Sequence, residues 1–566
     1  MHANQMSEGL VGQIRGICRR VAGQSEVVAV CLCSDYALGL SVDRETIEVL
    51  LVIRDFQPRL SHHMKVLDGH TVAILAVDQW VFERDVDRGF LGEALASGLI
   101  FPYDALENPD YLRAREIELK SRLVTELLEN LVLSFPELCY ELLIKPEYFM
   151  YETMLSRARL FPPTMYGSLS FIQEKDKEKS IRQVLEGYAT ALEDLQKRGI
   201  IYFSDGYVKV SKTFADSSKK KRVRFTNLLK PAQRTLFASL LGAFPRVMTF
   251  LSQNREILLR LQRLTQGDAK ITPKLEVPEK YLLVPTAGGR VPLANRMDIE
   301  AYARKVLSAG KNARVTIEEI GGVLNDVYLI MALSDSEETK VVAKRFRDWA
   351  SFKWFPLTLW TVGTRTFAVL GRSRLEREIA INQLLRSKGF DVPKILHVSA
   401  EERLVFMEYI EGENAGDVVK RFAASRSSRG MKKDLTVIER IGRKLAKVHA
   451  LGIALGDTKP ENVIIGKHGE IYLTDFEQAA RDGDKVWDVA EFLYYAGHDI
   501  PPLAEARVAE RIAGVFIKGY LAAGGKVETV VKAGTAKYTK VFSVFTLPHI
   551  MLALSNACRN ARKLGA

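Results

Sequence analysis

The stretch LGDTKPENVIIGKHGEIYLTDFEQA, residues 455–479, constrains the fold of this chain more than any other feature. Lys459 follows Asp457 by two positions and Asn462 follows it by five. Next come an apolar run, a turn over Gly466–Gly469 and a strand that carries Asp475 to its end. Magnesium takes hard oxygen ligands, often one or two carboxylates, with phosphate and water completing the shell. Asn462 and Asp475 supply such oxygens. The bland alternative is an ordinary turn and strand with acids exposed at the ends, and the order, interval and apolar flanks argue jointly against it.

Upstream, RVTIEEIGGVLNDVYLIMAL (residues 314–333) reads as two strands around a turn containing Gly321 and Gly322, whose backbone amides suit phosphate oxygens. Aligned on Val327, Gly322 fits the middle glycine of a G-x-G-x-x-G-x-V loop; Ile320 and Asn325 stand where the outer glycines belong, and Asn325 tolerates a left-handed backbone. In KVVAKRF, Lys344 follows two valines and an alanine, as the lysine of V-A-I-K does. A lysine on a buried strand costs several kcal/mol unless a carboxylate pairs with it. Glu378, on the predicted helix SRLEREIAINQLLRSKG, is the expected partner and Glu376 the second choice. The aromatic-rich stretch 348–371 reads as core in preference to a lid or docking surface. LVFMEYIEGENAGDVV (residues 404–419) is a strand, a glycine and a helix, which would turn the Glu408 carbonyl and the Ile410 amide toward a bound base.

The interval from Asp457 to Asn462 matches the H-R-D-x-x-x-x-N loop, in which the aspartate accepts the proton of a substrate hydroxyl. With IGGVLNDVYL, VVAKRF, VFMEYIEG, LAKVHALGIALGDTKPEN, YLTDFEQA and WDVAEFLYYA in order, residues 314–566 resemble the atypical protein kinases, particularly the RIO kinases and the small kinase of the KEOPS tRNA-modifying assembly. The resemblance implies ATP as cofactor with Mg2+ or Mn2+. It makes Asp457 the catalytic base with Lys459 beside the transferred phosphate, and makes Asn462 and Asp475 the metal ligands. Lys344 and Glu378 would position the phosphates, and Asp488 would steady the catalytic loop. DFEQ also looks like the D-x-x-Q segment of RIO kinases, whose aspartate can accept phosphate in an ATPase cycle, which would make Asp475 the acceptor. This chain departs from the pattern in having Gly456 before the aspartate, Thr458 for leucine and Glu477 for the glycine of D-F-G. Only twelve residues separate Asp475 from Asp488, and no A-P-E follows, so a regulated activation loop of the common sort is not expected.

At 566 residues several domains are expected. The fold class is multidomain α+β: an N-terminal α/β domain over 1–112, a helical domain with a winged-helix-like end over 113–265, a proline-marked linker over 266–312, and a bilobal kinase-like domain over 313–566 (N-lobe 313–406, hinge 407–412, C-lobe 413–566). The N-terminal strands EVVAVCLC, TIEVLLVIR and TVAILAV carry a fainter likeness to DNA polymerase beta-type nucleotidyltransferases. Ser34 is kept, but Cys33, Thr46 and Glu48 stand for the glycine and two aspartates of that pattern, and with only Asp78 nearby a two-metal site is not expected. IRQVLEGYATALEDLQKRG followed by IIYFSDGYVKVS predicts a helix and a hairpin turning at Asp205-Gly206. The basic run KKKRVRF, residues 219–225, beside such a wing would suit RNA phosphates, as does a net charge of +12, though a solvated basic loop explains it as well. ASRSSRGMKK, residues 424–433, reads as a loop with serine acceptors.

No apolar run reaches a membrane-spanning length and the opening residues show no signal-peptide core, so a cytoplasmic protein without membrane partners is expected. The leading reading is ATP-dependent phosphorylation of protein hydroxyls, the chain itself included. The alternatives are a small-molecule kinase of the aminoglycoside phosphotransferase type and an ATP-sensing or ATPase scaffold that binds RNA.

Overall fold

The computed structural model describes residues 8–33, 46–160, 177–220, 277–307, 314–321, 325–334, 337–347, 370–425, 427–501, 505–543 and 546–564. Two compact units emerge, one from Met1–Pro136 with Leu143–Leu282, the other from Glu137–Leu142 with Leu283–Ala566. Among the described residues, no helix is long and apolar enough to cross a membrane.

The first unit begins with α1 (Glu8–Ala22) and a five-stranded mixed sheet of β1 (Val27–Cys33), β2 (Thr46–Ile53), β3 (Leu60–Leu67), β4 (His70–Asp78) and β5 (Tyr103–Glu107), in the order β3-β4-β2-β1-β5. Only β2 and β4 run parallel. Alternate residues of β1, β2 and β4 pack with Leu10, Ile14 and Ile17 of α1 into one core. Asp78 is occupied as the cap of α2 (Gln79–Arg88): its carboxylate accepts from the amides of Trp80 and Val81 and also from that of Phe56. The long helix α3 (Pro109–Ser134) follows. Next come β6 (Leu143–Ile144), α4 (Glu147–Leu160), α5 (Lys177–Lys197) and the hairpin of β7 (Ile201–Ser204) with β8 (Tyr207–Val210). Asp205 at φ 49° and Gly206 at φ 79° make the two-residue turn that the hairpin reading requires. Helix α6 (Lys212–Lys220) holds the first two lysines of the basic run, and the remainder of that run lies outside the described residues.

The second unit starts earlier than the proline-rich sequence suggested. Residues expected as linker form a hairpin, β9 (Leu282–Thr286) and β10 (Gly289–Pro292), then a short helix α7 (Ile299–Tyr302). The amide of Ala287 donates to the Ile395 carbonyl, and Tyr302 stacks on Phe406 at 3.9 Å between centroids. Pro285 and Pro292 sit in a hairpin whose ladder tolerates their missing N–H groups, so the prolines there punctuate structure.

An antiparallel sheet in the order β11-β12-β13-β15-β14 comes next, from β11 (Arg314–Gly321), β12 (Asn325–Ser334), β13 (Glu337–Phe346), β14 (Ile395–Ser399) and β15 (Leu404–Glu408), with helix α8 (Gly371–Ser387) between β13 and β14. Beyond β16 (Gly412–Asn414) the unit is mostly helical: α9 (Ala415–Ala424), α10 (Ser428–Ala450), and, after the short strands β17 (Ile453–Ala454), β18 (Val463–Gly466), β19 (Ile471–Leu473) and β20 (Ala480–Arg481), the helix α11 (Lys485–His498) and α12 (Ala506–Ala522). The expected loop 424–433 is a loop only in part. Residues 428–433 are the first turns of α10, because Met431 and Leu435 already pack on the helical core.

Candidate active site

Lys344 lies on the central strand β13, flanked by Val327 of β12 and Val405 of β15. Its Nζ is 2.7 Å from Asp475 Oδ1, 3.1 Å from Glu477 Oε2 and 3.5 Å from Glu378 Oε2. Burial works against the ammonium, yet Asp475, Glu477 and Glu378 more than offset it and hold Lys344 charged, above its ordinary value. Glu378, the partner expected from the sequence, also accepts from the Phe476 amide at 2.8 Å, and so ties α8 to the loop carrying Asp475. Glu376 is not a second partner for the lysine. It faces elsewhere and accepts from the amides of Glu137 and Leu138.

The loop after β19 departs from extended backbone at Asp475, whose φ of 63° is a left-handed conformation that few non-glycine residues adopt. Burial, against the pull of Lys344, raises the Asp475 carboxyl to about 7, with Glu477, Glu378 and Asp457 adding to the effect. Glu477 behaves differently. Although burial opposes its ionisation, Lys344 and the fully buried Arg374 of α8 hold it ionised, below the ordinary carboxylate range. Arg374 Nη2 donates to Glu477 Oε1 and to Asn325 Oδ1, both at 2.6 Å, while Asn325 Nδ2 donates to Glu477 Oε2 at 2.5 Å. Asn325 is therefore not the left-handed turn residue that the sequence pattern suggested: it opens β12, and its amide joins the strand to Glu477.

Asp488, in the first turn of α11, organises the loop that bears Asp457. Its oxygens accept from the amides of Leu455 at 2.6 Å and Gly456 at 2.7 Å and contact His449 Nε2 at 3.0 Å. Gly456 takes φ 76°, which accounts for a glycine where related loops carry a side chain. Thr458 is buried and is held by Glu491: its amide donates to Oε2 at 2.7 Å and its hydroxyl to the Asp488 carbonyl at 2.7 Å. Lys459 Nζ lies 3.2 Å from Asp457 Oδ1. Asn462 Nδ2 donates to the Asp457 carbonyl, and the Asn462 carbonyl accepts from the amide and hydroxyl of Thr474, each at 3.0 Å. A continuous set of bonds thus runs from Asp457 through Asn462 to the residue beside Asp475.

Of the other predicted residues, Gly321 ends β11 opposite Val327, and Gly322 falls outside the described residues. Glu408 ends β15, with its carboxylate on the Lys394 amide, and Ile410 follows between β15 and β16. The sequence reading missed Arg374, Glu491 and the acid-binding role of Asn325; the only signal was the oddity of Glu477 itself.

Asp475 and Asn462 carry oxygen donors of the kind a divalent cation takes. Among the described residues no group of three or more His, Cys, Asp or Glu side chains is placed to hold a metal ion, and Glu477 and Glu378 are committed to Lys344, Arg374 and the Phe476 amide. Asn462 spends its amide nitrogen on the Asp457 carbonyl, and its side chain's remaining polar atom is an oxygen acceptor.

The profile of the Lipopolysaccharide kinase (Kdo/WaaP) family matches residues 335–493. Over 113 residues the chain is 31% identical to the KEOPS complex subunit Bud32 of Pyrococcus abyssi, covering 20% of this chain and 48% of that protein, about half its length. Over 165 residues it is 34% identical to the probable serine/threonine-protein kinase BUD32 homolog of Archaeoglobus fulgidus, covering 28% of this chain and 72% of that one. The chain belongs to the BUD32 family of atypical protein kinases. The serine/threonine-protein kinase PknA of Mycobacterium tuberculosis is 32% identical over 124 residues, covering 21% of this chain and 28% of PknA. The residues that match the family model lie within the second unit.

Proposed function

We propose that the chain is an ATP- and divalent-cation-dependent phosphotransferase acting as an atypical serine/threonine protein kinase, with its own hydroxyls among the acceptors. The observation that carries this reading is the gathering of Lys344, Glu378 and Asp475 in one buried cluster, bonded through Thr474 and Asn462 to the loop of Asp457. In this reading residues 313–406 and 413–566 are the two lobes, and Gly321, Gly322, Lys344, Glu408 and Ile410 line the nucleotide's place between them. Asp475 and Asn462 would hold Mg2+ or Mn2+, and the cation would neutralise charge on the phosphates.

Asp457 would take the proton of the acceptor hydroxyl as that oxygen bonds to the terminal phosphorus and the bond from that phosphorus to the bridging oxygen breaks, with ADP leaving. Lys459 is kept charged, against its burial, by Asp457 and Glu491, and it stabilises the charge that develops on the transferred group. Asp488 fixes the loop so that this geometry costs no reorganisation. Purified chain incubated with labelled ATP and Mg2+ should acquire label, and Asp457→Ala should not; absence of label in the wild type, or equal label in both, contradicts the proposal.

A second reading is favoured by the match to a lipopolysaccharide kinase family and by the short span from Asp475 to Asp488. A short span leaves little chain for docking a peptide acceptor. Turnover of a sugar or other small hydroxyl compound without protein labelling would move the assignment there. A third, an RNA-binding scaffold set by ATP, would use Lys219, Lys220 and the rest of 219–225. Salt-dependent RNA affinity that responds to ATP and persists in Asp457→Ala would favour it. We infer a cytoplasmic location, and a nucleotidyltransferase-like but non-catalytic N-terminal domain.

A further inference from the structure

Glu376 is buried and sits two positions before Glu378 on α8. At about 100° per residue, two positions put these side chains on nearly opposite sides of the helix. Glu378 grips Lys344 and the Phe476 amide. Glu376 grips a piece of chain 239 positions away: its Oε1 accepts from the Glu137 amide at 2.5 Å and from the Leu138 amide at 2.9 Å. No cation is among those two contacts, and a carboxylate given up to two backbone N–H groups in a buried place has to be explained by what it holds.

The piece it holds, Glu137–Leu142, belongs to the same compact unit as Leu283–Ala566 although its neighbours on both sides in sequence belong to the other. It makes a second grip at its front end. Glu137 Oε2 lies 3.2 Å from Arg481 Nε, and the Arg481 guanidinium stands 4.4 Å over the Tyr140 ring. Arg481 in β20 pairs with Ile453 of β17, three residues before Gly456 and four before Asp457. One short segment therefore ties α8, which orients the glutamate facing Lys344, to the strand pair that leads into the catalytic loop.

We propose that Glu137–Leu142 is an in-chain brace for the phosphotransfer site, with Glu376, Glu137 and Arg481 as positioning residues that act through Glu378 and the Asp457 loop. This rests on the phosphotransferase reading above. The kinase unit is then incomplete without residues that precede it by more than 140 positions in the chain. None of the three touches the reacting atoms. Their effect is on how often Glu378, Lys344 and Asp475 stand in register with Asp457.

The test uses the full chain and reciprocal charges. Rates of transfer from labelled ATP are measured for Glu137→Arg, Arg481→Glu and the double variant, each normalised to nucleotide-binding sites titrated in the same sample, so that misfolded protein does not count. Each single change should lower kcat by about tenfold, the size of loss that small misplacements of reacting groups produce. The double variant should recover most of it. Single variants with the wild-type kcat, or a double variant no better than the singles, overturn the brace. Amide hydrogen exchange across Gly371–Ser387, compared between the wild type and Glu376→Ala, gives an arm that needs no catalysis. Faster exchange confined to that helix supports the brace, and unchanged exchange overturns it. A wild type without transfer activity would defeat the phosphotransferase reading alone, and the exchange arm would still decide the brace.

Discussion

Lys120 in α3 and Lys344 in β13 are both nearly sealed from solvent, yet burial wins at one and loses at the other. At Lys120, burial lowers the ammonium below its ordinary value, because a single carboxylate, Glu116 at 2.7 Å, opposes it and Arg113 pulls the other way. Glu116 is itself shared with Arg113 and the Tyr103 hydroxyl, and Lys120 also donates to the Val184 carbonyl of α5. Every group there is spent within the protein, and the result is a tie between two helices. At Lys344 three carboxylates overcome burial, and of these Asp475 keeps 28% side-chain exposure while Glu477 and Glu378 are sealed. At Lys120 one carboxylate loses to burial; at Lys344 three win, and the cluster is open at Asp475.

The contrast is broken most sharply by activity. Lys344→Met and Asp457→Ala should each lower transfer from labelled ATP by roughly 10²–10⁴-fold, while Lys120→Met stays within about twofold per nucleotide-binding site. Comparable losses at the two lysines would erase the distinction. In urea unfolding, Lys120→Met should lose about 3 kcal/mol, because Glu116 stays buried with fewer partners. A midpoint equal to the wild type would mean the pair contributes nothing.

Glu376 offers a pH test of the same idea, that a buried carboxylate bonded to backbone amides behaves unlike one bonded directly to a buried cation. Burial raises its carboxyl from an ordinary 4.5 to about 7; the Glu137 and Leu138 amides oppose this, Glu137's charge adds to it and Arg377 opposes it. Between those values the folded chain keeps a proton that the unfolded chain releases, so stability falls as pH rises through the window. Relative to Glu376→Gln, the wild type should lose up to about 3 kcal/mol between pH 4.5 and 7 and change little outside it. A difference that grows with pH would reverse the sign and refute the assignment. The smallest effect expected is for Thr458→Val, which removes a hydroxyl that donates to the Asp488 carbonyl at 2.7 Å and lies 3.3 Å from Glu491 Oε2: about 1 kcal/mol in unfolding. A loss several times larger would give that hydroxyl a part in the site.

Groups close in sequence or fixed by short intervals were legible beforehand. The Asp457-to-Asn462 spacing, the strand leading to Asp475 and the lysine after VVA follow from local pattern, and Glu378 followed from the demand that a buried lysine be paired. The partnership of Arg374, Asn325 and Glu477 was not legible, since it joins three elements through side chains whose sequence neighbours give no sign of it. Glu376 was misassigned for a related reason: helix phase separates it from Glu378, but only the fold shows what lies on its far side. In the first unit β3 escaped notice because it is largely exposed and its LSHHMKVL lacks an apolar alternation. The prolines of 266–312 concealed a hairpin that uses them at tolerated positions.

The central claim is that Lys344, Asn462 and Asp475 serve one metal-bound triphosphate. A crystal structure of the full chain with a non-hydrolysable ATP analogue and Mg2+ tests it most directly. The account predicts the cation on Asp475 and Asn462, with Lys344 on the phosphates and Asp457 facing the terminal one. A nucleotide bound away from this cluster, with Lys344 still locked onto its three carboxylates, would contradict it.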